Sequence, residues 1–259
     1  MGLIEGQVAI VTGAANAVTQ GIARRFAREG ATVVLVDADR GAAEAAAREI
    51  PGAQARAWDP GDAVAAKALV QDVVAAHGRV DILLNGQHAA LKWDRLAEKD
   101  AADFTTAFAT VVQGAVHMMQ AVRPVMAEAG RGRIVNLGSI YGPTANEGVT
   151  DAVTMDGALT SLSRSAGVEW AKDGILVNFL QGGMPDIPVF ADYRATRGVS
   201  VATLLANTAM PRLADPVEDI GGAAMFLVSD EACFIVGHRV LADGGQHLTA
   251  AIFEPGAER

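Results

Sequence analysis

The run Ala152–Asn178, AVTMDGALTSLSRSAGVEWAKDGILVN, constrains the fold more than any other stretch of the chain. Val153, Leu159, Leu162 and Ala166 recur at helical spacing, which gives a long helix one apolar face. Lys172-Asp173-Gly174 stops that helix, and Ile175-Leu176-Val177 opens a buried strand. Upstream the same alternation repeats. Val8–Val11 is an apolar strand leading into Thr12-Gly13, and a helix follows over Gln20–Glu29. Thr32–Asp37 is a second strand, Gly41–Ile50 a helix, and a third short strand precedes Asp59. Val64–His77 is an amphipathic helix broken by Gly78, and Val80–Asn85 is a fourth strand. Two helices between Asp103 and Met126 and the strand Arg133–Leu137 lead back to the opening run. Strands and helices in this alternation predict an α/β fold: a doubly wound parallel sheet with helices on both faces. Any ligand then belongs at the carboxyl ends of the strands.

Length decides the domain count. The chain has 259 residues, and no linker, internal repeat or low-complexity tract divides it, so one domain is expected over residues 1–253 with a flexible tail at 254–259. A net charge of −9 argues against nucleic acid and anionic membranes as partners. No apolar run reaches the roughly 18 residues of a membrane span. The start, MGLIEGQVAIVTG, enters a strand without a basic leader, and Cys233 is the single cysteine. A soluble cytoplasmic protein is the expectation.

From Leu162 onward the opening run resembles the long helix and following strand of the short-chain dehydrogenase/reductase family, which usually reads SLAxEWAxxGIRVN. Pro216-Val217-Glu218-Asp219-Ile220-Gly221, Phe226–Glu231 and Val240–Gly245 are similar to that family's C-terminal segments, in the same order. The resemblance covers nearly the whole chain and implies a Rossmann-like domain, an NAD(P)-dependent oxidoreductase ancestry and an oligomer, usually a tetramer built on helix interfaces.

The resemblance also implies a cofactor site. The family's phosphate loop, TGxxxGxG, corresponds here to Thr12-Gly13-Ala14-Ala15-Asn16-Ala17-Val18-Thr19. Gly13 keeps the first glycine; Ala17 and Thr19 replace the second and third, which serve close approach of the backbone to a pyrophosphate. Asp37 stands where family members that prefer NAD bind the ribose 2′-hydroxyl, Asp59 where the family places an aspartate beside adenine, and Asn85 opens the segment equivalent to NNAG. Asp37 and Asp59 also read as turn or cap residues. Ile187 stands where the family's threonine holds the nicotinamide amide, and it offers no hydrogen-bonding side chain. NAD binding is therefore expected to be weakened or absent.

The catalytic positions are more altered. The family uses Asn, Ser, Tyr and Lys, with Tyr transferring a proton while Lys lowers its pKa. Here the Asn position is Val111, Ser is retained as Ser139, the Tyr position is Ala152 and the Lys position is Asp156. Alanine transfers no proton, and a carboxylate disfavours a nearby phenolate. Tyr141 and Asp156 are the candidates for substitute chemistry, and Ser139, His88 and Asp156 together contain the residue types of a hydrolase triad. The alternative for Tyr141 is packing in a pocket wall. His77, His117, His238, His247 and Cys233 show no metal spacing, so no metal is expected. Met118, Met119 and Met126 read as core or interface, and Pro185–Pro211 as a mobile substrate lid.

These residues leave several functions open. One is a non-catalytic subunit that assembles, as a homo- or hetero-oligomer, with an active paralogue such as a hydroxyacyl-CoA dehydrogenase. Another is an enzyme of altered, non-redox chemistry (elimination, hydration or isomerisation) in the old pocket. The others are a residual NAD-dependent oxidoreductase using substitute residues, and a nucleotide-sensing module resting on Asp37 and Asp59.

Overall fold

A computed structural model describes residues 2–89, 92–139, 141–144, 147–185, 200–205 and 209–248. Seven strands form one sheet: β1 Val8–Thr12, β2 Thr32–Asp37, β3 Gln54–Ala57, β4 Ile82–Asn85, β5 Gly132–Gly138, β6 Ile175–Gly182 and β7 Arg239–Ala242. Their order is β3-β2-β1-β4-β5-β6-β7 and every pairing is parallel. The order reverses between β1 and β4, so a crevice opens beyond the carboxyl ends of these two strands.

The helices are α1 Ala17–Arg28, α2 Arg40–Arg48, α3 Ala63–His77, α4 Ala101–Ala107, α5 Gly114–Glu128, α6 Tyr141–Thr144, α7 Thr150–Trp170, α8 Val201–Leu205 and α9 Gly221–Val228. Ile22 and Phe26 of α1 and Met225 and Val228 of α9 pack on one face of the sheet. Leu69 and Val73 of α3 and Met118, Met119 and Met126 of α5 pack on the other. The methionines are thus core residues, as their helical spacing predicts.

The boundaries differ from the sequence reading in instructive ways. Helix α1 starts at Ala17 rather than Gln20, because the Asn16 side chain caps it by accepting from the Val18 and Thr19 amides. The two helices expected between Asp103 and Met126 are joined by a π-helical turn, Phe108–Gln113, with no break in the chain's helical course. Strand β6 runs five residues beyond Val177 to Gly182, and all its residues are buried. Helix α7 ends as expected: a 3-10 turn over Ala171–Asp173 gives way to Gly174 at φ 77°, a left-handed cap that glycine adopts without a steric penalty.

Candidate active site

Ser139 directly follows β5 and is partly exposed at the carboxyl end of the sheet. Asp156 lies in the second turn of α7, only 7% exposed, and faces it. The Ser139 amide donates to both carboxylate oxygens of Asp156, at 3.0 and 3.1 Å, and the Ser139 hydroxyl donates to Oδ2 at 2.8 Å. Gln181, from the end of β6, donates its Nε2 to the same Oδ2 at 3.2 Å and also to the Ser139 carbonyl. On its other side Gln181 Oε1 accepts from Arg239 of β7, from Nε at 2.8 Å and again from the guanidinium terminus. Arg239, Gln181, Asp156 and Ser139 thus form one chain of hydrogen bonds across β5, β6, β7 and α7.

Burial pushes the Asp156 carboxyl up to about 6. The amide and hydroxyl of Ser139, the charge of Arg239 and the Gly142 amide pull in the opposite direction and keep the rise modest. Gly142 has no room for a side chain, since a Cβ there would stand 2.5 Å from Asp156 Oδ2.

The other two altered positions carry no polar group into this network. Val111 sits in the π-helical turn, a geometry often found at functional sites, but its side chain packs in an apolar cluster with Met155 and Leu159 of α7 and Phe179 of β6. Ala152 lies in the first turn of α7. Its neighbour Asp151 is buried against Lys99, with 3.0 Å between Nζ and Oδ1, and Lys99 Nζ also donates to the Lys92 carbonyl at 2.7 Å. This pair ties the 92–99 loop to the start of α7.

Tyr141 is buried, its ring edge-on to Trp93 with 5.3 Å between centroids. His88 Nδ1 lies 2.6 Å from the Gly86 carbonyl. A hydrolase triad interposes imidazole between hydroxyl and carboxylate. Here the carboxylate touches the hydroxyl directly, so Ser139, His88 and Asp156 are not arranged in that order. Lys99, Gln181 and Arg239 were not singled out from the sequence, although a glutamine inside the apolar run of β6 is itself a signal. Ile187 and most of the expected lid lie outside the described residues.

At the cofactor end Gly13 has φ 76°, and a Cβ there would run into the Gly86 backbone, so this glycine is required by the β1–β4 approach itself. Asp37 Oδ2 accepts from the Ala15 amide at 2.8 Å, and Oδ1 accepts from Asp39 at 3.0 Å. Asp59 Oδ1 accepts from the Gly61 amide at 2.9 Å in a turn. Asn85 Nδ2 donates to Asn136 Oδ1 at 2.8 Å, and Asn136 Nδ2 donates to Ser163 Oγ at 2.8 Å. Thr19 is fully buried, packed where a Cβ on Gly86 would meet its Oγ1 at 2.7 Å. Gly13, Asp37, Asp59 and Asn85 thus lie at or just beyond the carboxyl ends of β1, β2, β3 and β4, and each already serves the protein's own backbone or core.

At the positions that the sequence resemblance equates with the family's lysine, tyrosine and asparagine stand a buried carboxylate, Asp156, and two apolar side chains, Ala152 and Val111, a set that does not fit a nicotinamide ring held for proton-coupled hydride transfer. Among the described residues no group of three or more His, Cys, Asp or Glu could hold a metal ion, and no helix is long and apolar enough to cross a membrane.

The parallel sheet, the glycine turn after β1 and the retained serine after β5 define a Rossmann-type protein of the dehydrogenase class. A family model described as enoyl-(acyl carrier protein) reductase matches residues 13–247. The chain is 32% identical over 256 residues to a sorbitol dehydrogenase of Cereibacter sphaeroides, covering 95% of this chain and 99% of that protein. It is 34% identical over 243 residues to a cis-4-hydroxycyclohexanecarboxylate dehydrogenase of Sinomonas cyclohexanicum, covering 92% and 96%. The solved structure of an NAD+-bound xylitol dehydrogenase superposes with a TM-score of 0.86 at 26% identity, covering 93% of this chain and 99% of that one. The chain belongs to the short-chain dehydrogenase/reductase family.

Proposed function

We propose that this chain is a non-catalytic short-chain dehydrogenase/reductase subunit that assembles with an active paralogue, of which a hydroxyacyl-CoA dehydrogenase is one example. The observation that supports this most is the Asp156 carboxylate, which stands at the family's lysine position and engages the one retained catalytic side chain, Ser139. A serine hydroxyl donated to a buried carboxylate is not free to hold a substrate oxygen. A carboxylate beside the site also raises, rather than lowers, the pKa of any phenol brought near it. Loss of NAD affinity accords with this reading, since Asp37 and Asn16 already accept the loop and helix amides nearest the crevice.

Selection for assembly preserves exterior and core while relaxing the proton relay. Exposed apolar side chains support a subunit interface: Val168 on α7 is 80% exposed, and Phe234, just before β7, is 99% exposed. Cytoplasmic residence accords with the lone Cys233. The test is co-expression with the sister dehydrogenase, followed by purification through a tag on this chain. A mixed oligomer is expected; a homo-oligomer under every condition counts against the reading.

One observation favours a second reading, altered acid–base chemistry in the old pocket. Asp156 carries a raised pKa and touches a hydroxyl, as a general acid or base does. Against it, the donors of Ser139 and Gln181 already occupy the Asp156 oxygens. Turnover of an acyl or hydroxyacyl substrate that Asp156→Asn abolishes and Ala152→Tyr leaves intact would favour it over the subunit.

A further inference from the structure

Apart from the Gly142 amide, the donors around Asp156 come from the carboxyl edge of the sheet, not from the helix that carries the carboxylate. Ser139 N and Oγ come from the end of β5, and Gln181 Nε2 from the end of β6. The orientation of Gln181 is set independently of Asp156: Arg239 holds its Oε1, which leaves Nε2 to face the pocket. Positive charge therefore backs a neutral amide, a serine hydroxyl and a backbone amide, all aimed at one point. Gly142 leaves that point uncrowded, as no Cβ fits there. Donors converging from two strands with a guanidinium behind them favour a carboxylate and offset part of the burial that opposes its charge.

We infer that the ends of β5 and β6 build a carboxylate-binding site, and that Asp156 is its intramolecular occupant. The donors fix the chemistry of the ligand as a small carboxylate, bound through both oxygens to Ser139 and through one to Gln181. The covalent tether gives Asp156 a high effective concentration, so external carboxylates do not displace it from the intact chain. The inference concerns this pocket alone and does not depend on the subunit reading.

Truncation of the side chain tests it with a size rule. Asp156→Ala removes only the carboxylate group, which leaves space for formate. Asp156→Gly removes the methylene as well, which leaves space for acetate. Each variant and the intact protein are unfolded thermally at pH 7.5 with sodium formate or sodium acetate, ionic strength held constant with sodium chloride. The variants are expected to melt lower than the intact chain. Formate raises the melting temperature of Asp156→Ala, and acetate does so better for Asp156→Gly, with saturation. At about 100 times the dissociation constant the folded state gains roughly 100-fold over the unfolded. The intact chain does not respond, and Ser139→Ala placed on Asp156→Ala weakens the response. A response equal in intact and truncated chains, or one that chloride reproduces, overturns the inference. So does the absence of any carboxylate-specific rise. Should one truncation fail to fold, the other is read with its own anion, formate for Asp156→Ala and acetate for Asp156→Gly, with the same two outcomes.

Discussion

Asp156 Oδ2 accepts a hydrogen bond from the Ser139 hydroxyl across 2.8 Å, so the serine after β5 is bonded directly to the residue that the family resemblance equates with its lysine. The buried carboxylate is compensated from the sheet, directly by Gln181 and behind it by Arg239.

The first consequence is a pH dependence of stability. The Asp156 carboxyl has its pKa raised from 3.8 to about 6 in the folded protein. A raised folded-state pKa means that the folded chain holds the proton more tightly than the unfolded one. The stabilisation is complete below the unfolded pKa and is lost as pH rises through the folded one. At about 1.4 kcal/mol per unit, the loss between pH 4 and 7 is on the order of 3 kcal/mol. Asp156→Asn does not titrate, so urea unfolding should show its stability relative to the intact chain growing by that order over the window. A difference that is flat or shrinks with pH contradicts this.

Gly142 supports the same network by being small. A Cβ at this position meets Asp156 Oδ2 at 2.5 Å and the Gln181 amide still closer. Gly142→Ala should cost about 1–3 kcal/mol, as overpacking does. Combining it with Asp156→Ala, which removes one of the crowded atoms, should recover part of that loss in a double-mutant cycle.

Lys99 and Asp151 make a buried ion pair beside Ala152. Lys99→Met leaves Asp151 buried without its cation, at a cost of about 3–5 kcal/mol by chemical denaturation. Replacing both by Met and Leu should restore most of the stability, because the pair itself is roughly neutral against an apolar substitute. A single variant as stable as the double would show that the pair is not closed to water.

Calorimetric titration with NAD+ and NADH should show binding far weaker than the micromolar range, on the order of millimolar or not at all. Thr19 is packed in the core rather than standing open over the loop, and Asp37 is held by the Ala15 and Asp39 amides. Micromolar affinity for either form would mean that Asp37 releases these amides to the ribose at little expense.

Most of the fold was legible because period and punctuation agreed. The TVVLVD run ends as β2 at Asp37, and Gly174 stops α7 where a left-handed cap was needed. The start of α1 was not, since the capping role of Asn16 shows only when its side chain is seen to accept from Val18 and Thr19. At the site, the family resemblance pointed to Ser139 and Asp156, which the structure brings into hydrogen-bond contact. It could not supply what Asp156 is bonded to. Gln181 is 25 residues from Asp156 in sequence, and Arg239 is 58 from Gln181. Only the pairing of β5, β6 and β7 brings them together. A polar residue inside an apolar strand marks a site but does not name its partner.

Nicotinamide absorbance reads the proposed loss of proton-coupled hydride transfer without intermediate steps. The purified chain is mixed with NAD+ or NADP+ and a panel of polyols, alicyclic hydroxy acids and hydroxyacyl thioesters, and reduction is followed over hours. No rate above that of a blank without protein is expected. Turnover near the ordinary enzymatic range, roughly 1 s⁻¹ or faster, would contradict it and require a proton donor other than the vacated tyrosine position.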